Sequence, residues 1–312
     1  MKQLYHVLGA KQFERNELER LFDAALDMEK VVAKGGDRRH EGRIMTTLFF
    51  EASTRTRLSF ESAMHRLGGG VIGTENAAQF SSAIKGETLE DTIRIVSGYS
   101  DVIVMRHTDI GAAKRAAKVA SIPVINAGDG AGEHPTQALL DAYTIRKEFG
   151  KIDGLKIAMV GDLAYGRTVH SLSYMLANYQ DVMVYYISPD NVRIPDNVKK
   201  YMDEKGIRYA ETNDLNSVAG SIDVLYQTRI QKERFPSAEE YEKAAGKYIV
   251  DAELMSRMRK DAIVLHPLPR AGEIAEEVDE DPRAAYFRQA VNGLYIRMAL
   301  VDKCIVESKG NL

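Results

Sequence analysis

Cysteine is almost missing from this sequence. Cys304 is the single one among 312 residues, which excludes an internal disulfide and a cluster of thiolate metal ligands. That scarcity fits a reducing compartment. An excess of either charge is missing too: 42 Lys and Arg stand against 45 Asp and Glu, a formal net charge of −3. Such a balance offers no broad basic field to nucleic acid or to an anionic membrane. An anion held by this chain must be met by arginines placed locally. No apolar run is long enough to span a bilayer, and Met1–His6 lacks the apolar core of a secretion signal. A cytoplasmic protein, bound to neither nucleic acid nor membrane, is the expectation. Internal repeats and clusters of metal ligands do not stand out, so no metal and no cofactor is expected.

What is present is an alternation of short apolar runs with amphipathic stretches, the pattern of an α/β chain with parallel sheets. Leu18, Leu21, Phe22, Ala25 and Val32 line one face of a first helix, and Phe60, Ala63, Met64 and Leu67 line another that stops at Gly68-Gly69-Gly70. Residues 44–50, 102–105 and 123–125 read as buried strands, followed by a helix from Pro135 to Phe149. A second series begins with strands at 157–160, 182–187, 224–226 and 262–265, with a helix carrying Val169, Leu172 and Leu176 after the first of them. The last helix keeps an apolar stripe through Phe287, Ala290, Val291, Leu294, Met298, Val301 and Ile305. The expectation is two doubly wound domains, each a central parallel sheet flanked by helices. They cover residues 1–150 and 151–287, and the C-terminal helix, from about 288 to 312, packs back on the first.

The strand through Phe50 runs into Glu51-Ala52-Ser53-Thr54-Arg55-Thr56-Arg57, and a helix follows. Ser53 suits the N-cap, so the next N–H groups point outward. Cations at a helix N-terminus are opposed by the helix dipole. Arg55 and Arg57 therefore call for a reason beyond solvation. A bound anion supplies one, because unpaired N–H groups and guanidinium forks both suit phosphate oxygens.

The run Ser53-Thr54-Arg55-Thr56-Arg57 resembles the carbamoyl-phosphate motif of the aspartate and ornithine carbamoyltransferases. Other pieces follow in that family's order: Ser81 and Lys85 in a small-residue loop, Met105-Arg106-His107 at a strand end, and His134-Pro135-Thr136-Gln137 opening a helix. Taken alone, Arg106 reads equally well as a surface salt-bridge partner, and His134 reads better as a capping or core histidine than as a ligand. The resemblance implies that Ser53, Thr54, Arg55, Thr56, Arg106, His134 and Gln137 hold carbamoyl phosphate. Ser81 and Lys85 would reach in from an adjacent subunit of a homotrimer. Arg55, Thr56, Arg106 and His134 would be catalytic, with Thr56, Arg106 and His134 pointing donors at the carbonyl oxygen as a tetrahedral intermediate forms. Glu133 departs from the family, where a neutral residue often precedes this histidine; a nearby carboxylate is a group that can raise an imidazole pKa, and its effect on His134 stays open.

The second domain opens with Gly161-Asp162-Leu163-Ala164-Tyr165-Gly166-Arg167 after a strand, but a dinucleotide loop needs a third glycine that is absent. Arg167 is expected at a strand end facing the crevice between the domains, with Gln227-Thr228-Arg229-Ile230-Gln231 after another strand. Two arginines and a glutamine suit a dicarboxylate. In His266-Pro267-Leu268-Pro269-Arg270, the prolines fix the backbone and leave carbonyls free. The resemblance implies an aspartate site made of Lys85, Arg167, Arg229, Gln231, Pro267 and Leu268, where carbonyls receive the attacking amine's protons. Ornithine-specific relatives carry cysteine where Pro267 stands, and Arg229 would repel the ornithine ammonium. The implied reaction is transfer of the carbamoyl group from carbamoyl phosphate to the amine of L-aspartate, early in pyrimidine (UMP) synthesis. Association with separate regulatory chains stays open.

Overall fold

The computed structural model describes residues 5–77, 86–230, 237–244 and 246–309. Contacts divide the chain into two compact units, Met1–Leu140 with Val291–Leu312, and Asp141–Ala290. The first unit runs through α1 (Arg15–Ala33), β1 (Ile44–Phe49), α2 (Thr54–Arg66), β2 (Gly70–Glu75), α3 (Leu89–Val96), β3 (Val102–His107), α4 (Ala112–Val119) and β4 (Val124–Asp129). Its four strands form one parallel sheet in the order β2-β1-β3-β4. Helix α5 (Pro135–Phe149) leads into the second unit. There follow β5 (Lys156–Val160), α6 (Arg167–Leu176), β6 (Met183–Ile187), α7 (Asp196–Glu204), β7 (Arg208–Thr212), β8 (Val224–Gln227), α8 (Ala252–Arg257) and β9 (Ile263–Leu265). These five strands are also parallel, in the order β7-β6-β5-β8-β9. The last helix is α9 (Tyr286–Lys309).

The expected α/β class and parallel sheets are what the chain adopts. Inner strands are apolar on both faces because helices cover both: Val102, Ile103, Val104 and Met105 are almost wholly buried. In the first sheet β2 lies on one side of β1 and β3 on the other, so the winding reverses between β1 and β3. The second sheet reverses in the same way between β5 and β8. Such a switch point opens a crevice above the C-terminal strand ends, where doubly wound folds place ligands.

Two strands lack the sequence signal that marks the others. β2 reads Gly-Val-Ile-Gly-Thr-Glu and is part-exposed along its length, and β7 reads Arg-Tyr-Ala-Glu-Thr. Both are edge strands, so neither is required to be apolar throughout.

The C-terminal residues Val291–Leu312 group with the first unit, while residues 141–150 and 288–290, which were expected in the first domain, group with the second. Lys303 bridges to Glu17 of α1 at 3.1 Å, and the Arg297 guanidinium lies over the Phe60 ring of α2 at 5.3 Å. The apolar stripe expected on α9 holds only toward its end. Met298, Val301 and Ile305 are buried, whereas Phe287 and Val291 are half-exposed. Over its first turns the buried face carries Tyr286, Gln289 and Asn292 instead, so apolar spacing misjudges the orientation there.

Asp302 of α9 receives His40 at 2.8 Å and Arg39 at 3.2 Å. Burial alone would raise its pKa, but the His40 hydrogen bond and the Arg39 charge overcome that and hold the carboxyl below the usual range. A depressed carboxylate stabilises the fold above its unfolded pKa and loses that effect as pH falls through its folded pKa. Asp302→Asn should therefore lower stability to urea by about 1 kcal/mol at pH 7. The gap to the parent should close as the pH falls below about 4. A gap unchanged from pH 7 to pH 3 would contradict the assignment.

Candidate active site

In the first unit a candidate site is built where β1 and β3 end. Ser53 is the N-cap residue of α2, with φ −159° and ψ 90°, yet its side chain makes no cap hydrogen bond. The first-turn N–H groups of the helix thus lack the cap that Ser53 was expected to supply. Thr54 and Arg55 are exposed there and Thr56 is buried. Arg57 departs from expectation: it pairs with Glu61 and Glu75, each at 3.1 Å, because one more step along the helix turns it toward β2.

The Arg55 guanidinium makes no hydrogen bond or ion pair among the described residues, although its carbonyl accepts from the Ser59 hydroxyl at 2.6 Å. Its guanidinium pKa is lowered, first by burial and then by the charge of Arg106. Two cations thus share a helix N-terminus, which electrostatics opposes unless an anion joins them. Arg106, at the end of β3, is buried. It donates to Glu51 at 2.8 Å and to the Ala127 carbonyl at 3.4 Å, and its terminal nitrogen lies 3.5 Å from His134 Nε2. Its buried Nε has no partner among the described residues. Glu51 is the member that sequence reasoning did not place here; an acid between a strand end and a basic helix start was the available signal.

His134 sits at the start of α5, and its carbonyl accepts from the N–H groups of Gln137 at 3.1 Å and Ala138 at 3.2 Å. Pro135 takes the first helical position as expected. His134 thus caps the helix through its backbone while its ring meets Arg106. Thr136 and Gln137 are buried beside it. Glu133, just before His134, is itself tied to two other segments of the first unit. The Glu133 side chain accepts from the N–H of Ala10, and Asp129 holds its backbone N–H at 2.7 Å. Burial raises the Glu133 pKa.

In the second unit a candidate site lies where β5, β8 and β9 end. Arg167 is not at a strand end, as expected, but is the first residue of α6, six residues beyond the turn at Gly161. It is buried, again a cation at a helix N-terminus. Thr228 follows β8 and ties it to β5, donating to the Val160 carbonyl through its N–H and its hydroxyl, both at 2.8 Å. Arg229 comes next and is half-buried, as are Pro267 and Leu268 after β9. His266 turns out to hold that loop. Its Nδ1 accepts from the Leu268 N–H at 2.7 Å, so its Nε2 carries a proton toward Glu273, also at 2.7 Å. Ser81, Lys85 and Gln231 lie outside the described residues.

Among the described residues no group of His, Cys, Asp or Glu could hold a metal ion, and no helix is long and apolar enough to cross a membrane. The two glycines near Arg167 have structural reasons that need no dinucleotide. Gly161 has φ +118°, and a Cβ there would stand 2.4 Å from the Thr228 carbonyl oxygen. Gly161→Ala should therefore cost more than about 2 kcal/mol in urea unfolding; a variant as stable as the parent would refute this account of the turn.

Residues 5–147 match the aspartate/ornithine carbamoyltransferase carbamoyl-P binding domain, and residues 153–304 match the Asp/Orn binding domain of the same family. The chloroplastic aspartate carbamoyltransferase of Arabidopsis thaliana is 59% identical over 306 residues, 97% of this chain and 78% of the relative. The aspartate carbamoyltransferase catalytic subunit of Methanopyrus kandleri is 52% identical over 297 residues, 95% of this chain and 96% of the relative. Among solved structures, the catalytic subunit of M. jannaschii aspartate transcarbamoylase superposes with a TM-score of 0.91 at 47% identity, covering 99% of this chain and 100% of that one. Aspartate transcarbamoylase from Trypanosoma cruzi in complex with carbamoyl phosphate gives 0.90 at 44% identity, covering 98% and 97%. With both domains matched in order along nearly its whole length, this chain belongs to the aspartate/ornithine carbamoyltransferase family.

Proposed function

We propose that this chain transfers the carbamoyl group of carbamoyl phosphate to the amine of L-aspartate, giving N-carbamoyl-L-aspartate and phosphate, an early committed step of pyrimidine (UMP) synthesis. The observation that carries the reading is the pairing of Arg55 and Arg106 at the first switch point, with His134 against Arg106. Residues 1–150, completed by about 288–312, take carbamoyl phosphate. Ser53, Thr54, Arg55, Thr56 and Arg106 hold its phosphate, and Thr56, Arg106, His134 and Gln137 present donors to its carbonyl oxygen. Residues 151–287 take aspartate, with Arg167 and Arg229 on its carboxylates and the Pro267 and Leu268 carbonyls on its amine. Likeness to the T. cruzi enzyme, solved in complex with carbamoyl phosphate and aspartate and with N-(phosphonacetyl)-L-aspartic acid, supports this assignment.

The amine attacks the carbonyl carbon directly, so no side-chain nucleophile enters. Negative charge grows on the carbonyl oxygen, where fixed donors stabilise it more than they stabilise the planar ground state. Collapse expels phosphate, whose oxygens accept the proton released by the amine. Catalysis is then positioning plus charge stabilisation. Losing one such donor lowers turnover about 100- to 1000-fold, which is the effect expected of Arg106→Ala. The parent should carbamoylate L-aspartate and leave ornithine untouched, since Arg229 faces a like charge on ornithine. Arg229→Ala should raise the aspartate KM and leave carbamoyl phosphate binding in place. Turnover of ornithine by the parent, or near-normal turnover by Arg106→Ala, would overturn the reading.

The family resemblance also supports a homotrimer in which Ser81 and Lys85 of one chain, the latter touching both substrates, complete the site of the next with Gln231. The word subunit in the name of the Methanopyrus relative supports assembly, with room for separate regulatory chains. A mixture of inactive Lys85→Ala and inactive His134→Ala chains should regain activity once hybrids form, because some sites then draw both intact residues. Hybrids verified by mass that stay inactive would exclude shared sites.

A further inference from the structure

The second unit holds a chain of buried hydrogen bonds that touches each of its proposed aspartate-binding segments. At the centre is Asp141 of α5, which is fully buried. One of its oxygens accepts from the Tyr226 hydroxyl at 2.7 Å, and the other accepts from Gln289 Nε2 at 2.6 Å. Gln289, itself buried, uses its remaining amide oxygen to accept the His266 N–H at 2.9 Å. The polarity of this relay has one solution. A backbone N–H only donates and a carboxylate only accepts, so the Gln289 amide can face them in one sense alone. Tyr226 in turn accepts a hydrogen bond from Thr168.

Each end of the relay stands next to a binding residue. Thr168 follows Arg167 on the first turn of α6. Tyr226 is three residues before Arg229 at the end of β8. His266 precedes Pro267, and its ring receives the Leu268 N–H. Burying a carboxylate is unfavourable unless every oxygen is matched, and a network half matched is worse than an apolar core. One carboxylate at this position therefore links three separate chain segments, which apolar packing would leave free to shift by small amounts.

We propose that Asp141 is a positioning residue for the acceptor amine: through Tyr226 and Gln289 it sets Arg167, Arg229 and the Pro267–Leu268 loop in register with one another. This inference rests on the aspartate reading above and adds residues that touch no substrate.

The test uses the full-length protein and its two substrates. Asp141→Asn sets an amide nitrogen against either Tyr226 or Gln289, and Gln289→Glu sets two carboxylates together. Each single variant should raise the aspartate KM about 10- to 100-fold, as small misplacements do, while carbamoyl phosphate binding, whose proposed ligands from Ser53 to Gln137 all precede Asp141 and lie in the first unit, stays within about twofold. The double variant Asp141→Asn with Gln289→Glu restores one donor between two acceptors in reversed order. It should recover most of the aspartate KM. Should the single variants fail to fold, Tyr226→Phe removes one hydrogen bond, adds no charge, and takes the same readout. The parent's own activity separates the two claims: without carbamoylation of aspartate by the parent, the functional reading fails and takes this inference with it. An active parent whose folded variants keep their aspartate KM refutes the relay alone. Equal losses toward both substrates, or a double variant no better than its singles, would also refute it.

Discussion

Parallel strands bring all their C-terminal ends to one edge of a sheet. Where the winding reverses, the helices after two neighbouring strands leave to opposite faces, and the edge between them is left uncovered. Both sheets of this chain have such a reversal, between β1 and β3 and between β5 and β8. Every described residue proposed to touch substrate lies at the C-terminal end of β3 or on the segments that follow β1, β4, β5, β8 or β9. The switch point is thus the constraint that makes the rest possible: it sets helix N-termini and strand-end side chains around one opening in each unit.

Electrostatics explains why these openings are occupied as they are. A guanidinium at a helix N-terminus is disfavoured by the helix dipole, and two together are disfavoured further. Arg55 sits in this way beside Arg106, and Arg167 opens α6. Glu51 offsets part of the charge on Arg106 at 2.8 Å and fixes the direction of its fork. What stays unbalanced is the preorganised demand for an anion, made by groups that need not reorganise when it binds.

Several of these residues do two things at once, so the bland and the functional readings are not rivals here. His134 caps α5 by its carbonyl and meets Arg106 with its ring. Arg106 is a salt-bridge partner and also part of the cationic pair. His266, by contrast, works on its own loop through the Leu268 N–H and Glu273. Prolines on either side of Leu268 leave that loop few backbone donors, and the Leu268 N–H is taken up by the ring.

The sequence by itself determined the fold class, the buried strands and the strand-to-helix turn at Ser53-Thr54-Arg55-Thr56. Each depends on neighbours a few residues apart: apolar runs form inner strands, and a strand running into Ser53-Thr54-Arg55-Thr56 carries its chemistry in one turn. Tertiary structure decided whatever depends on partners distant in the chain. Edge strands β2 and β7 exist because an inner strand offers them hydrogen bonds, not because their own residues are apolar. Arg57 is drawn off by Glu75, Glu133 by the N–H of Ala10, and Phe287 outward because Gln289 takes the buried face. Gln289 meets Asp141 across 148 residues of sequence. No local periodicity encodes such a pair, because its partners become neighbours only when the sheets have formed and the helices have packed against them.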